Sequence, residues 1–443
     1  MHNNVLNKYS FYLLFGKILL VIYVKALLIG VTTKYDRYNI DYSLKELKSL
    51  AEVLDYEVVE TLTQNLDKPV AATYVGSGKL AEAEILVHAL DIDTVIFNDE
   101  LSPAQLRNAQ EILKVNVIDR SYLILQIFEL RASSSEAKLE IKLARDLYTL
   151  PRIAYMKGEQ SRIGGGAGTA TRGAGETQRE MDRRHLIAEI TRLKREIEYS
   201  KKTKENQLAR VKRNDLPIVA LVGYTNAGKS TTMNTILSET GINDDKQVLA
   251  KNQLFATLST YNRKITYNKT EFMLVDTIGF VSKLPHNLVN SFYMTLQEVK
   301  EADLIIHVVD SSSEYLSEQS RVVNEVLFSL ECEKIPTIYL LNKWDNTINE
   351  NITVMGKKSI KFSNKTKQGL NELFDSILEE ISKSSVHAKI IIPYSKGDIA
   401  ATIEKNATIN KREYQDNGIY YDIDIPTRFY YLIKEYDLDT MVS

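Results

Sequence analysis

Eight consecutive residues, Gly223–Ser230, combine the residue types and the spacing that bind a nucleoside triphosphate. They read GYTNAGKS and so fit the pattern G-x-x-x-x-G-K-[ST]. In such a loop, glycines let backbone N–H groups point at phosphate oxygens, Lys229 neutralises the β and γ phosphates, and the hydroxyl of Ser230 suits Mg²⁺. The apolar run 218–222 predicts a buried strand before the loop, and a helix is predicted from Ser230 onward. The predicted phosphate-binding residues are Gly223, Tyr224, Thr225, Asn226, Ala227, Gly228, Lys229, Ser230 and Thr231.

A second motif, DTIG at residues 276–279, ends another strand-like run. In this position Asp276 would hold Mg²⁺ through a water molecule, and the backbone amide of Gly279 would meet the γ-phosphate. The next residue is Phe280. At this position, many enzymes that hydrolyse nucleoside triphosphates with these motifs have a glutamine that orients the attacking water. Phenylalanine cannot hydrogen-bond a water, so we assign no residue of the sequence to a side-chain catalytic role.

The polar segment between these two motifs is expected to carry a threonine that senses both Mg²⁺ and the γ-phosphate. Thr257 is the first candidate, and Ser259 and Thr260 remain alternatives. Mg²⁺ is the cofactor that the motifs predict. Its predicted ligands are Ser230, Thr257 and Asp276.

A third motif, NKWD at residues 342–345, indicates which base is bound. A carboxylate at Asp345 is able to accept hydrogen bonds from the N1–H and the N2 amino group of guanine. Adenine lacks that pair of donors, so ATP would leave a buried Asp345 unpaired. The sequence therefore predicts a GTPase that contacts guanine through Asn342, Lys343 and Asp345.

Strand-like and helix-like patterns alternate around these motifs, which is typical of a doubly wound parallel sheet with its ligand at the carboxyl ends of the strands. A shorter alternation precedes them, and a hairpin pattern with the turn Asp416-Asn417-Gly418 follows them. The predicted fold class is α/β, with a doubly wound P-loop GTPase domain at 215–383. This domain is preceded by a small α/β N-terminal domain at 26–132 and a helical hairpin with a glycine-rich basic loop at 133–214, and it is followed by a small α+β C-terminal domain at 384–443. An extension at 1–25 is predicted to be disordered or to reflect a mis-assigned start.

The predicted helical hairpin is the basic part of an otherwise acidic chain. Residues 141–213 contain 18 lysines and arginines against 9 aspartates and glutamates, although the whole chain has a formal net charge of −2. This asymmetry favours contact with a polyanion, although a solvated helix face would also explain it. Backbone exposed by the glycine run 164–175 would let phosphates approach closely. The arginines predicted to contact RNA are Arg162, Arg172 and Arg179.

Composition excludes several classes of protein. The chain has 443 residues and a single cysteine, Cys332, which rules out an internal disulfide framework and a cysteine-based zinc cluster and favours a reducing cytoplasm. Residues 11–31 are strongly apolar, but Lys17 and Lys25 interrupt them. We therefore expect the domain to begin with a strand at 26–31, and a peripheral membrane anchor remains the alternative.

Six segments together resemble the HflX family of ribosome-associated GTPases, and the resemblance extends over nearly all of the chain from about residue 26. The glycine-rich run joined to ETQREMDRR is the most specific of them because it lies outside the nucleotide motifs. The segments are ATYVGSGKL at 72–80, GGGAGTATRGAGETQREMDRR at 164–184, GYTNAGKST at 223–231, LFATL at 254–258, DTIGF at 276–280 and NKWD at 342–345.

The resemblance implies a switch role for Thr257 and a last guanine-binding loop formed by Ser363, Asn364 and Lys365. The family usually has Ser-Ala-Lys in that loop, so Asn364 is a departure that puts the geometry of the loop in question. The resemblance, together with Phe280, also implies slow hydrolysis that depends on an activating partner. That partner would be the large ribosomal subunit and its rRNA, bound by a monomeric cytoplasmic protein. The family role would be to dissociate stalled or idle ribosomes into subunits, with hydrolysis releasing the factor.

Two other functions are compatible with the sequence. One is a GTPase that assembles the large ribosomal subunit. The other is a nucleotide-gated adaptor that touches the membrane peripherally through the apolar run 11–31 and regulates a protease.

Overall fold

The structure is a computed structural model. It describes residues 9–14, 17–22, 24–34, 39–132, 134–153, 172–212, 216–241, 261–268, 270–283, 299–347, 352, 358–383, 385–426 and 429–438. The chain divides into two compact units, one made of residues 1–200, 251–259 and 281–293 and the other of residues 201–250, 260–280 and 294–443.

The first unit contains a four-stranded parallel sheet in the order β4-β3-β5-β6. The inner strand β3 reads VKALLIGVT and is buried from residue 26 to residue 31, as expected for a strand covered on both faces. The strands are β3 (Val24–Thr32), β4 (Tyr56–Asn65), β5 (Thr94–Phe97) and β6 (Asn116–Asp119), and the helices around them are α1 (Ile40–Val53), α2 (Ser77–Leu90), α3 (Pro103–Leu113) and α4 (Arg120–Arg131).

Local capping residues set several of these helix boundaries. Ser102 and Gln105 form a reciprocal capping box at the start of α3, and Pro103 occupies its first turn. The side chain of Asp119, at the end of β6, accepts a hydrogen bond from the backbone N–H of Tyr122 and begins α4. The buried carboxylate of Asp119 therefore lies at the carboxyl end of β6.

Two further helices, α5 (Ser135–Thr149) and α6 (Arg172–Lys212), follow this sheet in the chain. They share an apolar cluster of residues spaced at helical intervals. The buried members are Leu143, Ile190 and Leu193, and the partly buried ones are Leu139, Leu147, Leu150, Leu186 and Ile197. Helix α6 is 41 residues long.

The second unit contains a six-stranded sheet in the order β12-β11-β10-β7-β9-β8, in which only β8 runs antiparallel to its neighbour. The strands are β7 (Ile218–Gly223), β8 (Tyr261–Tyr267), β9 (Thr270–Asp276), β10 (Leu304–Asp310), β11 (Thr337–Asn342) and β12 (Ser359–Lys361), and the helices are α7 (Lys229–Glu239), α8 (Leu316–Ser329) and α9 (Leu370–Lys383). The carboxyl ends of the five parallel strands lie at one edge of the sheet, which is the edge that binds ligands in doubly wound folds.

A separate antiparallel sheet of three strands in the order β13-β15-β14 completes this unit. It consists of β13 (Ser385–Ile392), β14 (Thr408–Gln415) and β15 (Gly418–Pro426), with helix α10 (Gly397–Asn406) and the short helix α11 (Tyr430–Ile433). The predicted hairpin is confirmed, because β14 and β15 pair across the Asp416-Asn417 turn.

The predicted fold class is confirmed: an α/β protein with a doubly wound domain after a small α/β domain and a pair of helices. The segment 9–22 forms two antiparallel strands, β1 (Tyr9–Leu14) and β2 (Lys17–Ile22). Among the described residues, no helix is both long and apolar enough to cross a membrane.

Candidate nucleotide-binding site

The GYTNAGKS loop joins a buried strand to a helix, as its sequence predicts. All six residues of β7 are buried, and Gly228 caps the N-terminus of α7 in a left-handed conformation with φ of 100°. A Cβ atom at Gly228 would lie 2.2 Å from Nδ2 of Asn342. Only glycine fits there, because it tolerates positive φ and lets the neighbouring chain approach. The N-terminus of α7 therefore presents backbone N–H groups and positive potential to an anion.

Lys229 reaches back along the loop. Its Nζ donates hydrogen bonds to the carbonyl oxygens of Gly223 at 3.1 Å and Tyr224 at 2.9 Å. Burial lowers the pKa of Lys229 to about 8, although the nearby carboxylate of Asp276 opposes this shift. A phosphate beside this amine would favour its charged form, so the geometry suits neutralisation of a polyphosphate.

Ser230 and Asp276 form the candidate Mg²⁺ site. Ser230 Oγ donates to Asp276 Oδ2 at 2.6 Å, across the carboxyl ends of β7 and β9. The other carboxylate oxygen, Oδ1, is buried and has no hydrogen-bond partner among the residues that the structure describes. Burial raises the pKa of Asp276 to about 6. Mg²⁺ prefers oxygen ligands, and this site offers a hydroxyl oxygen, together with a carboxylate oxygen that has no hydrogen-bond partner among the described residues. These residues therefore fit the ion.

Gly279 and Phe280 lie against the phosphate loop. Phe280 N donates to the carbonyl of Gly223 at 3.2 Å, and Phe280 O accepts from the backbone N–H of Thr225 at 2.8 Å. The side chain of Phe280 is buried. A Cβ at Gly279 would lie 2.9 Å from both Lys229 Nζ and Thr225 Cγ2, so the absence of a side chain allows this close approach.

The residues predicted to read guanine converge at the ends of β11 and β12. Ser363 is fully buried, and its Oγ donates to Asp345 Oδ1 at 2.6 Å. This bond orients the carboxylate that would accept from guanine. Asn342 Nδ2 donates to the carbonyl of Ala227 at 2.7 Å and so connects this motif to the phosphate loop. Lys343 has a left-handed backbone with φ of 61°, and its Nζ pairs with Asp310 Oδ2 at 2.7 Å.

Asn364 has a role that the sequence reasoning missed. Its Nδ2 donates to Asn342 Oδ1 and to Thr232 Oγ1, each at 3.1 Å, and its Oδ1 accepts from Thr235 Oγ1 at 2.8 Å. Thr232 and Thr235 lie on α7, the helix that follows the phosphate loop. The sequence shows that asparagine replaces the alanine usual at this position, but that difference does not identify the hydrogen-bond partners of Asn364.

The residues just after Phe280 belong to the first unit. Ser282 Oγ accepts a hydrogen bond from Arg120 Nη2 at 2.9 Å and donates one to Glu46 Oε2. Arg120 and Glu46 are both buried and form an ion pair. Lys283 Nζ pairs with Asp99 Oδ1 at 2.5 Å. No sequence motif identified this cluster.

Some predicted site residues cannot be placed. Thr257 and its alternatives Ser259 and Thr260 lie outside the described residues, as does Arg162. Arg172 and Arg179 have their backbone in α6, but their side chains are not described. The remaining nucleotide-site residues lie at the carboxyl ends of β7, β9, β11 and β12, in the loops that follow these strands and in the first turn of α7.

Three family profiles match consecutive parts of the chain. They are described as GTP-binding GTPase N-terminal at residues 41–129, GTP-binding GTPase Middle Region at 131–211 and 50S ribosome-binding GTPase at 218–343. The GTPase HflX of Caldanaerobacter subterraneus subsp. tengcongensis is 39% identical over 85% of this chain and 86% of its own length. The chain belongs to the HflX family of GTPases. It therefore binds and hydrolyses GTP.

Other similar proteins extend this comparison. The GTPase HflX of Escherichia coli K12 is 35% identical over 85% of this chain and 87% of its own length. Among solved structures, a GTP-binding protein from Sulfolobus solfataricus in complex with GDP is 24% identical, with a TM-score of 0.41 over 81% of this chain and 98% of that chain.

Proposed function

We propose that this HflX-family GTPase acts on the ribosome: in its GTP form it binds rRNA of the large subunit and dissociates stalled or idle ribosomes, and hydrolysis then releases it. The observation that carries this proposal is the basic helix α6. It contains 12 lysines and arginines against 7 aspartates and glutamates, and it begins at Arg172, within the glycine-rich run 164–175. Positive charge beside accessible backbone favours phosphate contacts of RNA. The family profile described as 50S ribosome-binding GTPase supports the same partner.

The nucleotide would occupy the loops at the carboxyl edge of the six-stranded sheet. Lys229 and the N-terminus of α7 would hold the phosphates, and Gly279 would meet the γ-phosphate. Mg²⁺ would be held by Ser230, by Asp276 through a water molecule and, by family resemblance, by Thr257, and it would neutralise charge on the β and γ phosphates. Further contacts are proposed for Gly223, Tyr224, Thr225, Asn226, Ala227, Gly228, Thr231, Asn342, Lys343, Asp345, Ser363, Asn364 and Lys365.

Intrinsic hydrolysis is proposed to be slow and stimulated by the ribosome. The buried phenyl ring of Phe280 replaces a side chain that would orient water, so the missing positioning must come from elsewhere. GTP turnover measured alone, with each isolated subunit and with assembled ribosomes tests this directly. We expect stimulation by the large subunit and by assembled ribosomes, and absence of stimulation by both would contradict the proposal. Stimulation only by precursor particles would instead indicate a role in subunit assembly.

The RNA contact is tested by charge reversal. Changing Arg162, Arg172 and Arg179 together to glutamate should weaken ribosome co-sedimentation at least tenfold, because each lost phosphate contact removes part of the electrostatic affinity. In a matched control, three exposed lysines elsewhere are changed to glutamate, which reverses the same number of charges. They are Lys334, Lys396 and Lys434. Equal loss in both variants would show that net charge, rather than the glycine-rich segment, binds the ribosome.

A further inference from the structure

The hydroxyl of Thr225 is an exception among the hydroxyl groups near the phosphate loop. Thr225 is 6% exposed, and its Oγ1 is buried without a hydrogen-bond partner among the described residues. Neighbouring hydroxyls are paired: Ser230 with Asp276 at 2.6 Å, Thr232 with the Gly228 carbonyl at 2.9 Å, and Thr277 with the Leu221 carbonyl at 2.7 Å. Buried polar groups are normally hydrogen-bonded, so an unpaired hydroxyl at this position suggests a ligand partner.

The position of Thr225 is the γ-phosphate end of the proposed site. A Cβ at Gly279 would lie 2.9 Å from Thr225 Cγ2 and equally 2.9 Å from Lys229 Nζ, so the threonine side chain and the lysine amine border the same small volume. In the proposed site, Lys229 would neutralise the β and γ phosphates, and the amide of Gly279 would meet the γ-phosphate. Thr225 thus stands, with its methyl group toward Gly279, on the part of the loop that the proposed site places nearest the γ-phosphate.

The backbone of Thr225 is held in place independently of its side chain. Its N–H donates to the carbonyl of Phe280 at 2.8 Å. This bond fixes Thr225 beside the residue that stands where other GTPases have glutamine. A hydroxyl both donates and accepts hydrogen bonds, which a phenyl ring cannot do.

We propose that the Thr225 hydroxyl is a catalytic group for GTP hydrolysis, accepting a hydrogen bond from the attacking water and donating one to a γ-phosphate oxygen. This inference rests on the proposed nucleotide site. In the reaction, the water oxygen forms a bond to the γ-phosphorus, and the bond from that phosphorus to the β–γ bridging oxygen breaks. The bridging oxygen leaves with the electron pair as part of GDP. The proton lost by water ends on the released phosphate, and Thr225 keeps its own proton throughout.

Two substitutions separate the hydroxyl from the rest of the side chain. Thr225→Val keeps the shape and removes the hydroxyl, and Thr225→Ser keeps the hydroxyl and removes the methyl group. In the full-length protein with Mg²⁺ and GTP, we expect Thr225→Val to lower the single-turnover hydrolysis rate about a hundred- to a thousandfold, the range seen when one positioned donor is lost. Its affinity for methylanthraniloyl-GDP should change less than threefold, because the contact matters only at the γ-phosphate. Thr225→Ser should stay within about threefold of the wild-type rate.

A second readout follows the transition state. Aluminium fluoride with GDP mimics the transferring phosphoryl group, so Thr225→Val should weaken the aluminium fluoride complex while leaving GDP affinity unchanged. Thr337→Val is the matched control, because its hydroxyl is already paired with the carbonyl of Ile335 at 3.1 Å, away from the site. It should hydrolyse GTP at the wild-type rate.

Several results would overturn the inference. One is a wild-type hydrolysis rate in the Thr225→Val protein. Another is a hydrolysis rate in Thr225→Ser that falls as far as in Thr225→Val. A third is a loss of GDP affinity in Thr225→Val as large as its loss of hydrolysis rate. Lys229→Ala distinguishes this failure from failure of the site itself. If Lys229→Ala retains GTP affinity, the proposed site is wrong, whereas loss of affinity together with normal hydrolysis by Thr225→Val refutes the role of Thr225 alone.

Discussion

Asn364 Nδ2 lies 3.1 Å from Asn342 Oδ1 and so connects the last guanine-binding loop to the NKWD motif. Asn342 in turn donates to the carbonyl of Ala227 at 2.7 Å, inside the phosphate loop. The loop proposed to read the base and the loop proposed to hold the phosphates are therefore parts of one hydrogen-bond network. Through this network, Asn364 is expected to influence nucleotide affinity.

Asn364→Ala is expected to weaken GDP binding about three- to tenfold. The substitution leaves the buried Oδ1 of Asn342 unpaired and releases two threonines of α7, and a net hydrogen bond contributes about 1 kcal/mol. Titration with methylanthraniloyl-GDP measures the effect. Asn262→Ala, at an exposed position of β8, is the control, and unchanged affinity in Asn364→Ala would show that the network does not support binding.

Asp345→Asn is expected to change the base that is bound. The amide presents a donor where the carboxylate accepts, so guanine should lose at least a hundredfold in affinity while xanthine, with a carbonyl at position 2, should gain. Competition of GDP and XDP against a labelled nucleotide measures the ratio. An Asp345→Asn protein that still prefers GDP would contradict the assignment of Asp345 as the guanine-reading residue.

Nucleotide affinity should depend on pH through Lys229. Burial lowers its pKa to about 8, so the amine loses its proton as the pH rises through that value. Phosphate binds the charged amine, and GDP affinity should therefore be constant between about pH 6.5 and 7 and fall by up to tenfold per unit above about pH 8. Binding measured between pH 6.5 and 8.8 tests this, before guanine itself ionises. Lys229→Arg should lose the dependence, because the guanidinium stays charged.

The cluster around Arg120 should contribute strongly to the stability of the first unit. Arg120→Ala leaves Glu46 buried without its ion-pair partner, which is expected to cost about 3 to 5 kcal/mol, and Ser282→Ala should cost about 1 to 2 kcal/mol. Urea denaturation of the full-length protein measures both. Lys34→Ala is the control, since its pair with Asp67 is 63% and 85% exposed and should contribute almost nothing. Equal midpoints for the Arg120→Ala and Lys34→Ala proteins would refute the prediction.

Local sequence patterns identified most of the fold and the proposed nucleotide loops. The GYTNAGKS loop is contiguous, and its glycines and the apolar run before it favour one backbone arrangement through local sterics and burial. The same holds for the Asp416-Asn417-Gly418 hairpin, where the turn residues act on their immediate neighbours. Each of these features is decided within about ten residues of chain.

Side-chain partners far apart in the chain were decided only by tertiary structure. Asn364 meets Thr232 across 132 positions, and Arg120 meets Ser282 across 162. Alternating apolar patterns specify which residues are buried, but they do not specify which buried polar groups face each other, because that depends on strand order and helix placement. Tertiary structure likewise decided that the buried hydroxyl of Thr225 has no hydrogen-bond partner among the described residues. The sequence by itself determined the GTPase family and predicted which loops bind the guanine nucleotide, because those motifs are contiguous. The packing of distant segments decided which buried hydroxyls and amides find hydrogen-bond partners among the described residues.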